Sequence, residues 1–215
     1  MTEGFGARVD PDSGAFKPAF QPVSNGLRGL ALAGIAGIGG FVGTWAVRGA
    51  VRDGYSPIDD AISQLAAAGA PSPGWMTAGF LAFGIGVPIY AQALRRAVPG
   101  PAWIAATATG VAIIGVAASP LERADTAHYA FAVVGYATLA ATPMLAARTF
   151  RERGASGWAR WSTGCGVASA LFLIASTADP AHGLTQRIGL GITDAWIVAT
   201  AVAIWRGRPR GRLER

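Results

Sequence analysis

Residues Leu30–Val47 read LALAGIAGIGGFVGTWAV, 18 positions without a charged side chain. A transmembrane helix needs about 20 mainly apolar residues, and this stretch also lacks the polar residues at helical spacing that a soluble bundle requires. Five further stretches have the same character: Trp75–Leu94, Ala102–Ala118, Ala127–Ala147, Ala159–Thr177 and Ile188–Trp205. The sequence therefore predicts an all-α, polytopic membrane protein with six transmembrane helices in a bundle.

The composition of the 215-residue chain excludes several other classes of protein. Hydrophobic residues make up 52% and charged residues 14%, whereas a typical soluble domain has roughly 25% charged residues. A disordered chain has low hydrophobicity and high charge, so this composition excludes one. A single cysteine excludes a disulfide scaffold and a four-thiolate zinc site. What the net charge of +6 means depends on where the basic residues lie.

The basic residues are divided unequally between the two sides that six spans would define. Fourteen of the 18 lie on one side: Arg8, Lys17, Arg28, Arg95, Arg96, Arg148, Arg151, Arg153, Arg160, Arg206, Arg208, Arg210, Arg212 and Arg215. The other four are Arg48, Arg52, Arg123 and Arg187. Since cytoplasmic segments are enriched in Lys and Arg, both termini are predicted to be cytoplasmic. Topology and attraction to anionic lipid headgroups then explain the basic charge, and we predict no nucleic-acid partner.

The chain divides into three segments. Residues 1–25, which mix acidic residues with Gly and Pro, are predicted to be a flexible cytoplasmic tail and not a signal peptide. Residues 26–206 form the six-span membrane domain, and residues 207–215 form a basic cytoplasmic tail. The Ala-, Gly- and Arg-rich composition is typical of an actinobacterial protein, so we predict a multi-pass protein of the cell (plasma) membrane, the inner membrane of a bacterium.

The predicted outer connections hold acidic residues and both histidines of the chain, His128 and His182. The acidic residues are Asp53, Asp59, Asp60, Glu122, Asp125 and Asp179. Asp194 lies about two turns inside the sixth span, where an ionisable group costs at least about 2.5 kcal/mol unless it faces a partner or water. Because Arg187 precedes it by two helical turns on the same helix face, we predict that Arg187 and Asp194 are coupled, directly or through a ligand.

The connection after the first span predicts a short interfacial helix over residues 55–65. Ser56 fits an N-cap, Pro57 the first helical position, and Asp59 the acid of a capping box. An apolar stripe at helical spacing consists of Ile58, Ala61, Ile62 and Leu65. The opposite face carries Asp60, Ser63 and Gln64. The Ser-x-x-acid pattern recurs at 119–122 and 176–179, where the acids are also expected to cap helices.

Several kinds of chemistry fit the outer side chains. Asp125 and His128 stand one helical turn apart and, with His182, could hold a metal ion, relay a proton or form a hydrogen-bonded pair at headgroup depth. The usual helical metal motifs are missing, so we assign no metal and no cofactor. Ser63 could act as a nucleophile with His128 as its base, although no glycine-flanked nucleophile turn supports this.

Small residues of the first span predict close helix packing. Gly39 and Gly43 form a GxxxG motif, to which Gly34 and Gly37 add further small surface. We expect this motif to allow either close contact inside the bundle or a homo-oligomer through Gly39 and Gly43. Trp196 lies in the middle of the sixth span and is expected to pack within the bundle.

Three motifs resemble those of a known family. They are Tyr55-Ser56-Pro57-Ile58-x-Asp60-x-Ile62-Ser63-x-Leu65 after the first span, His128 at the start of the fourth, and Gly183-Leu184-x-x-Arg187 before the sixth. Together they resemble the signature of the bacterial and archaeal membrane family catalogued as domain of unknown function 998, over roughly Gly26 to Trp205. The resemblance implies a six-span bundle and no established activity, so it assigns no catalytic role.

These observations predict an outward-facing polar pocket that binds a lipid headgroup or a small amphiphile. We assign acid–base chemistry to Asp60, His128 and Asp194, and ligand binding to Ser63, Asp125, His182 and Arg187. The alternative is an intramembrane enzyme, either a metal-dependent lipid hydrolase or a membrane-embedded cyclase that uses Asp and His as acid and base. Membrane lipids are the predicted partners in both cases.

Overall fold

The computed structural model describes residues 18–207, which form six α-helices and one short 3-10 helix. The α-helices are α1 (Asn25–Val51), α2 (Gly74–Ala97), α3 (Ala102–Ala118), α4 (Asp125–Glu152), α5 (Ser156–Ala175) and α6 (His182–Arg206). The 3-10 helix, Ile62–Ala66, lies in the connection between α1 and α2. The all-α prediction is confirmed. Residues 1–17 of the predicted flexible tail and residues 208–215 of the predicted basic tail lie outside the described part of the chain.

Four of the helices, α1, α2, α4 and α6, are long and apolar enough to cross a membrane. The shorter α3 is also apolar and has 17 residues. The reason is local, because each of these four helices has the length and composition of a lipid-spanning helix and satisfies its backbone hydrogen bonds internally. The chain is thus a helical protein of membrane type.

Helices that follow one another in the chain pack side by side, and α6 packs against α1 to close the bundle. The connections from α2 onward are short, with residues 98–101 joining α2 to α3 and residues 153–155 joining α4 to α5. Short connections between adjacent helices require that neighbours run antiparallel. The helices therefore alternate in direction around the bundle.

Glycine residues set the close approach of α1 to α2 and of α2 to α3. A Cβ atom added to Gly86 would lie 2.8 Å from the Cα atom of Gly37, and one added to Gly110 would lie 2.8 Å from the carbonyl oxygen of Gly84. In contrast, Cβ atoms on Gly39 and Gly43 would meet nothing within 4 Å among the described residues. The GxxxG pair therefore does not make the internal contact that Gly37 makes, and its use in a homo-oligomer stays a prediction.

Hydrogen bonds between helices accompany this packing. The indole N–H of Trp196, whose side chain is fully buried as predicted, donates to Ser162 Oγ of α5 at 2.8 Å. The hydroxyls of Tyr90 and Thr200 form a hydrogen bond of 2.6 Å between α2 and α6. Such paired polar groups hold α6 in a fixed position against its neighbours.

One end of the bundle carries most of the described arginines and is called the basic end below. There the Arg28 guanidinium donates to the carbonyl oxygen of Trp205 at 2.7 Å, which joins the start of α1 to the end of α6. The backbone N–H of Gln21 donates to the carbonyl oxygen of Ala97 at 2.7 Å. The first contact joins α1 to the end of α6, and the second joins the segment before α1 to the end of α2.

The connections α1–α2, α3–α4 and α5–α6 meet at the other end, called the opposite end below. The N–H of Gly69 donates to the Glu122 carboxylate at 2.7 Å, and the N–H of Leu184 donates to the carbonyl oxygen of Ile58 at 2.9 Å. Glu122 therefore binds the α1–α2 connection, and the expectation that it caps a helix is wrong. The candidate residues from three separate connections are brought to one end, as predicted.

The predicted interfacial helix over residues 55–65 does not form. Ser56 Oγ does accept from the N–H of Asp59 at 3.2 Å, but the Ser56 N–H donates to Asp60 at 2.8 Å and the chain continues as turns. Helical structure is limited to the 3-10 helix, in which Ile62 and Leu65 are buried while Ile58 is 53% exposed. Ile62 and Leu65 enter the bundle, so this part of the segment covers the opposite end.

Candidate functional site

Two adjoining cavities open at the opposite end of the bundle. The larger, of about 640 Å³ and called the vestibule below, lies between α4, the end of α5, the start of α6 and the 3-10 helix. The smaller, of about 40 Å³ and called the inner chamber below, extends among α1, α2, α3, α4 and α6. Five residues line both cavities: Ser63, His128, Ala132, Tyr136 and Gln186. This shared set forms a mainly polar junction between a wide mouth and a narrow interior.

The inner chamber is apolar beyond the junction. Its walls include Phe41, Phe80, Phe83, Ile113, Val116, Leu139 and Leu190. Thr109 is the remaining polar side chain among its described lining residues, and its hydroxyl is bonded to the carbonyl oxygen of Ala105 at 2.9 Å. A polar entrance followed by an apolar interior is the usual form of a site for an amphiphilic molecule.

His128 lies on the first turn of α4 and its imidazole is buried. Its Nδ1 atom lies 2.7 Å from the carbonyl oxygen of Ser119, the residue that follows α3. Because a carbonyl oxygen only accepts, Nδ1 carries the proton, and in the neutral imidazole Nε2 keeps its lone pair. Nε2 has no hydrogen-bond partner among residues 18–207, so His128 contributes an acceptor to the junction.

Gln186 of α6 and Tyr136 of α4 line the junction together with His128. The Gln186 side chain is buried, accepts from the N–H of Ile62 at 2.9 Å and donates to the hydroxyl of Tyr136. The amide thus ties α6 to α4 and to the 3-10 helix. Since the Tyr136 oxygen receives this hydrogen bond, its own hydrogen can be donated elsewhere.

Three other polar side chains line the vestibule near this junction. Ser63 lies on the 3-10 helix, His182 begins α6, and Asp179 precedes α6. One Asp179 oxygen accepts from the N–H of Ala181 at 2.7 Å, which stabilises the turn before α6. Of the predicted site residues, the structure therefore brings together Ser63, His128 and His182.

Arg187 occupies a different place from the one predicted, and it lines neither cavity. Its Nη1 donates to the carbonyl oxygens of Pro57 at 2.7 Å, Asp60 at 3.0 Å and Gly183 at 2.8 Å, and Nη2 donates to the Tyr55 hydroxyl. The guanidinium also lies 5.2 Å from the ring centroid of Trp45. Arg187 thus holds the α1–α2 connection in place through its two Nη atoms, while its buried Nε has no hydrogen-bond partner among the described residues.

Tyr55 belongs to this cluster. Burial raises the pKa of its phenol above the ordinary 10.0, and the nearby Arg187 charge opposes that shift. The phenol therefore stays protonated at physiological pH and can donate, and its oxygen has the Asp60 and Ala61 carbonyls within 3.4 and 3.2 Å. The phenol and the guanidinium together fix the backbone that leads into Ser63.

Asp60 and Asp125 also serve local structure. An Asp60 oxygen accepts from the Ser56 N–H at 2.8 Å, and an Asp125 oxygen accepts from the Glu122 N–H at 2.7 Å. Asp125 is exposed at the start of α4, and neither carboxylate lines the two cavities. The acid–base role assigned to Asp60 and the ligand-binding role assigned to Asp125 gain no support from this placement.

Asp194 is buried on α6 and away from the cavities. One of its carboxyl oxygens and the hydroxyl of Thr193 have no hydrogen-bond partner among the described residues. Arg187 and Asp194, both within the described chain, form no ion pair, since the guanidinium is turned toward residues 55–60. The direct form of the predicted coupling is therefore wrong.

The predicted metal alternative lacks a ligand set in the part of the chain that the structure describes. No three His, Cys, Asp or Glu side chains of residues 18–207 lie close enough together to hold an ion. The Asp125 carboxylate accepts from the Glu122 N–H in its own turn. Among the described residues, His128 and His182 have no third side chain of these types close enough to complete a metal site. The acid–base alternative also lacks its carboxylates at the junction, because Asp60 and Asp194 lie elsewhere.

Sequence reasoning missed Tyr136 and Gln186. Tyr136 lies eight residues after His128 and shares its helix face through Ala132, and Gln186 lies four residues after His182. A search for polar side chains at helical spacing from the two histidines would have found both. Ala132 and Tyr136 thus follow His128 by four and eight positions, and Gln186 follows His182 by four. Both missed residues lie on the helix faces of histidines that the sequence did identify.

The three motifs quoted for the family resemblance converge in space. Gly183 packs against the Asp60 carbonyl, where a Cβ atom would clash, and Arg187 binds the same connection, which leads to Ser63 opposite His128. No curated protein and no solved structure matches the chain. A family model described as "Protein of unknown function (DUF998)" matches residues 35–203, which include every residue of both cavities.

Proposed function

The chain belongs to the DUF998 family of proteins of unknown function, and we propose that it is a six-span membrane protein that binds an amphiphile at the junction of its two cavities. The headgroup would occupy the vestibule beside Ser63, His128 and Gln186, and the apolar chain would enter the inner chamber. The observation that carries this proposal is the change from polar to apolar lining between two cavities that share five residues.

Six spans are supported by the way the helices alternate. α3 and α5 each pack between two of the four long apolar helices and run antiparallel to both. A helix held in that position has to cross the same layer of lipid. With 17 residues, α3 extends about 25 Å, a few ångströms less than a typical hydrocarbon core, which local thinning of the bilayer accommodates.

The orientation follows from the charges. Arginines are concentrated at the basic end, so this end would be cytoplasmic and the vestibule would open on the outer side of the cell membrane. A reporter active only outside the cytoplasm should work after Gly69 or Pro180 and fail after Arg153. The reverse pattern would place the vestibule on the cytoplasmic side and overturn the orientation.

Binding can be tested with a cavity-filling variant on α4. Ala132 lines both cavities, so Ala132→Phe would place a ring in the junction, whereas Ala137→Phe places the same ring on an exposed position of the same helix. Purified protein in lipid nanodiscs is incubated with a photoactivatable long-chain alcohol, and labelled peptides are mapped. We expect label on the cavity-lining parts of α4 and α6, lost in Ala132→Phe and retained in Ala137→Phe.

The peptide map tests the proposal even if Ala132→Phe does not fold. Label confined to the cavity-lining residues of the unmodified protein supports binding at the junction. Label spread evenly over lipid-exposed residues such as Ile174 and Leu171, which are 67% and 63% exposed, would mean that the probe only dissolves in the surrounding lipid. That result would overturn the proposed function.

A further inference from the structure

The two cavities also limit the chemistry of the molecule they hold. Resting on the proposed function, we infer that the ligand is a single-chain amphiphile whose headgroup is a hydrogen-bond donor without negative charge, that is, a long-chain alcohol or amine. Phosphate, sulfate and carboxylate headgroups are disfavoured.

Hydrogen-bond acceptors line the junction and the vestibule beside it. In the neutral imidazole of His128, Nε2 keeps a free lone pair while Nδ1–H donates to Ser119. In the vestibule, one Asp179 oxygen remains after the other binds the Ala181 N–H. Gln186 has already placed its amide oxygen on the Ile62 N–H. A headgroup that donates hydrogen bonds satisfies these lone pairs, whereas an anion leaves them facing its own oxygens.

Cationic side chains are missing from the same surface. None of the described residues that line either cavity is Lys or Arg. The nearest candidate on α6, Arg187, is occupied by the carbonyl oxygens of Pro57, Asp60 and Gly183. Proteins that bind phosphate or carboxylate headgroups supply guanidinium or ammonium groups for them. The Asp179 carboxylate places a formal negative charge in the lining of the vestibule. This charge favours a headgroup that is an amine or a neutral hydroxyl.

The inner chamber has no room for two chains side by side. Its volume of about 40 Å³ is a small fraction of the vestibule's 640 Å³. Its lining on α4 runs from His128 to Leu139, a separation of 11 positions or about 16 Å of helix. At most one chain can therefore point into the chamber from the junction.

The vestibule is reached from the lipid side of α4. Tyr129 and Val133, which line it, are 61% and 64% exposed on the outside of the bundle. Exposed apolar surface next to an opening is the expected path for a molecule that arrives from the bilayer. Together with the narrow chamber, this argues for a ligand drawn from membrane lipid and against a small polar solute.

Competition with the photoactivatable long-chain alcohol tests the headgroup. Lauryl alcohol, laurylamine, lauryl phosphate and laurate share one chain and differ in charge. We expect the alcohol and the amine to suppress labelling of the cavity at concentrations at least about tenfold lower than the two anions require, because an unpaired anion loses its hydration without a partner. Asp179→Asn should weaken competition by the amine and leave the alcohol unchanged, whereas Asp53→Asn, at an exposed position away from the cavities, should alter neither.

The outcomes separate this inference from the proposed function. If lauryl phosphate or laurate competes best, the cavity binds amphiphiles but the assignment of the headgroup is wrong. If dilauroylglycerol competes as well as lauryl alcohol, the single-chain assignment is wrong. If cavity labelling is not suppressed by any competitor and survives Ala132→Phe, the proposed function itself fails.

Discussion

Replacing Arg187 with Gln tests whether this residue holds the α1–α2 connection in place. Arg187 makes three hydrogen bonds to that connection, to the Pro57 and Asp60 carbonyls and to the Tyr55 hydroxyl. Hydrogen bonds from a charged donor contribute about 1.5–3 kcal/mol each, but one guanidinium shared by several acceptors gives less than their sum. We therefore expect opening of residues 55–61 to become easier by about 3 kcal/mol, roughly a hundredfold.

Hydrogen exchange with mass spectrometry in a fixed detergent measures this opening. Peptides covering 55–61 and the start of α6, where the Leu184 N–H binds the Ile58 carbonyl, should exchange faster in Arg187→Gln, while peptides from the middle of α2 keep their protection. Arg123→Gln, at an exposed position of the α3–α4 connection, is the matched control. Equal exchange in Arg187→Gln, Arg123→Gln and the unmodified protein would refute the assigned role.

Three further predictions concern stability, each measured by thermal unfolding in a fixed detergent. Gln186→Leu should destabilise the protein by about 1–3 kcal/mol because it leaves a buried backbone N–H and a phenol without their partner; unchanged stability would contradict the junction geometry. Gly86→Ala should destabilise the protein by about 1–3 kcal/mol because the added methyl group overpacks the α1–α2 contact, whereas Gly39→Ala should leave the stability unchanged or raise it. A larger loss of stability in Gly39→Ala than in Gly86→Ala would place the α1–α2 contact elsewhere. Arg187→Gln and Asp194→Asn should be additive within about 0.5 kcal/mol, since the two side chains do not touch, and a larger interaction energy would restore the coupling predicted from their spacing.

The helices and their approximate bounds could be predicted from the sequence because an apolar helix is specified locally, by an uninterrupted apolar length. Ala102–Ala118 illustrates this, since the predicted stretch and α3 coincide. The same local reasoning failed for residues 55–65. There the spacing of Ile58, Ile62 and Leu65 fits a helix. Instead, the Ile62 N–H donates to Gln186 and Arg187 donates to the Pro57 carbonyl, and the segment packs on the bundle as turns and a 3-10 helix.

For the site, the sequence determined which residue types are available and at which end of the bundle they lie. His128, His182 and Ser63 could be placed together because three connections of an alternating helical bundle share one end. Sequence position could not decide where each side chain points. Arg187 was free to turn toward Asp194 or toward Pro57, and only the close packing of Gly183 against the Asp60 carbonyl brings acceptors within its reach. That choice depends on contacts between residues more than a hundred positions apart, so the tertiary structure alone decides that the guanidinium of Arg187 stays away from the junction.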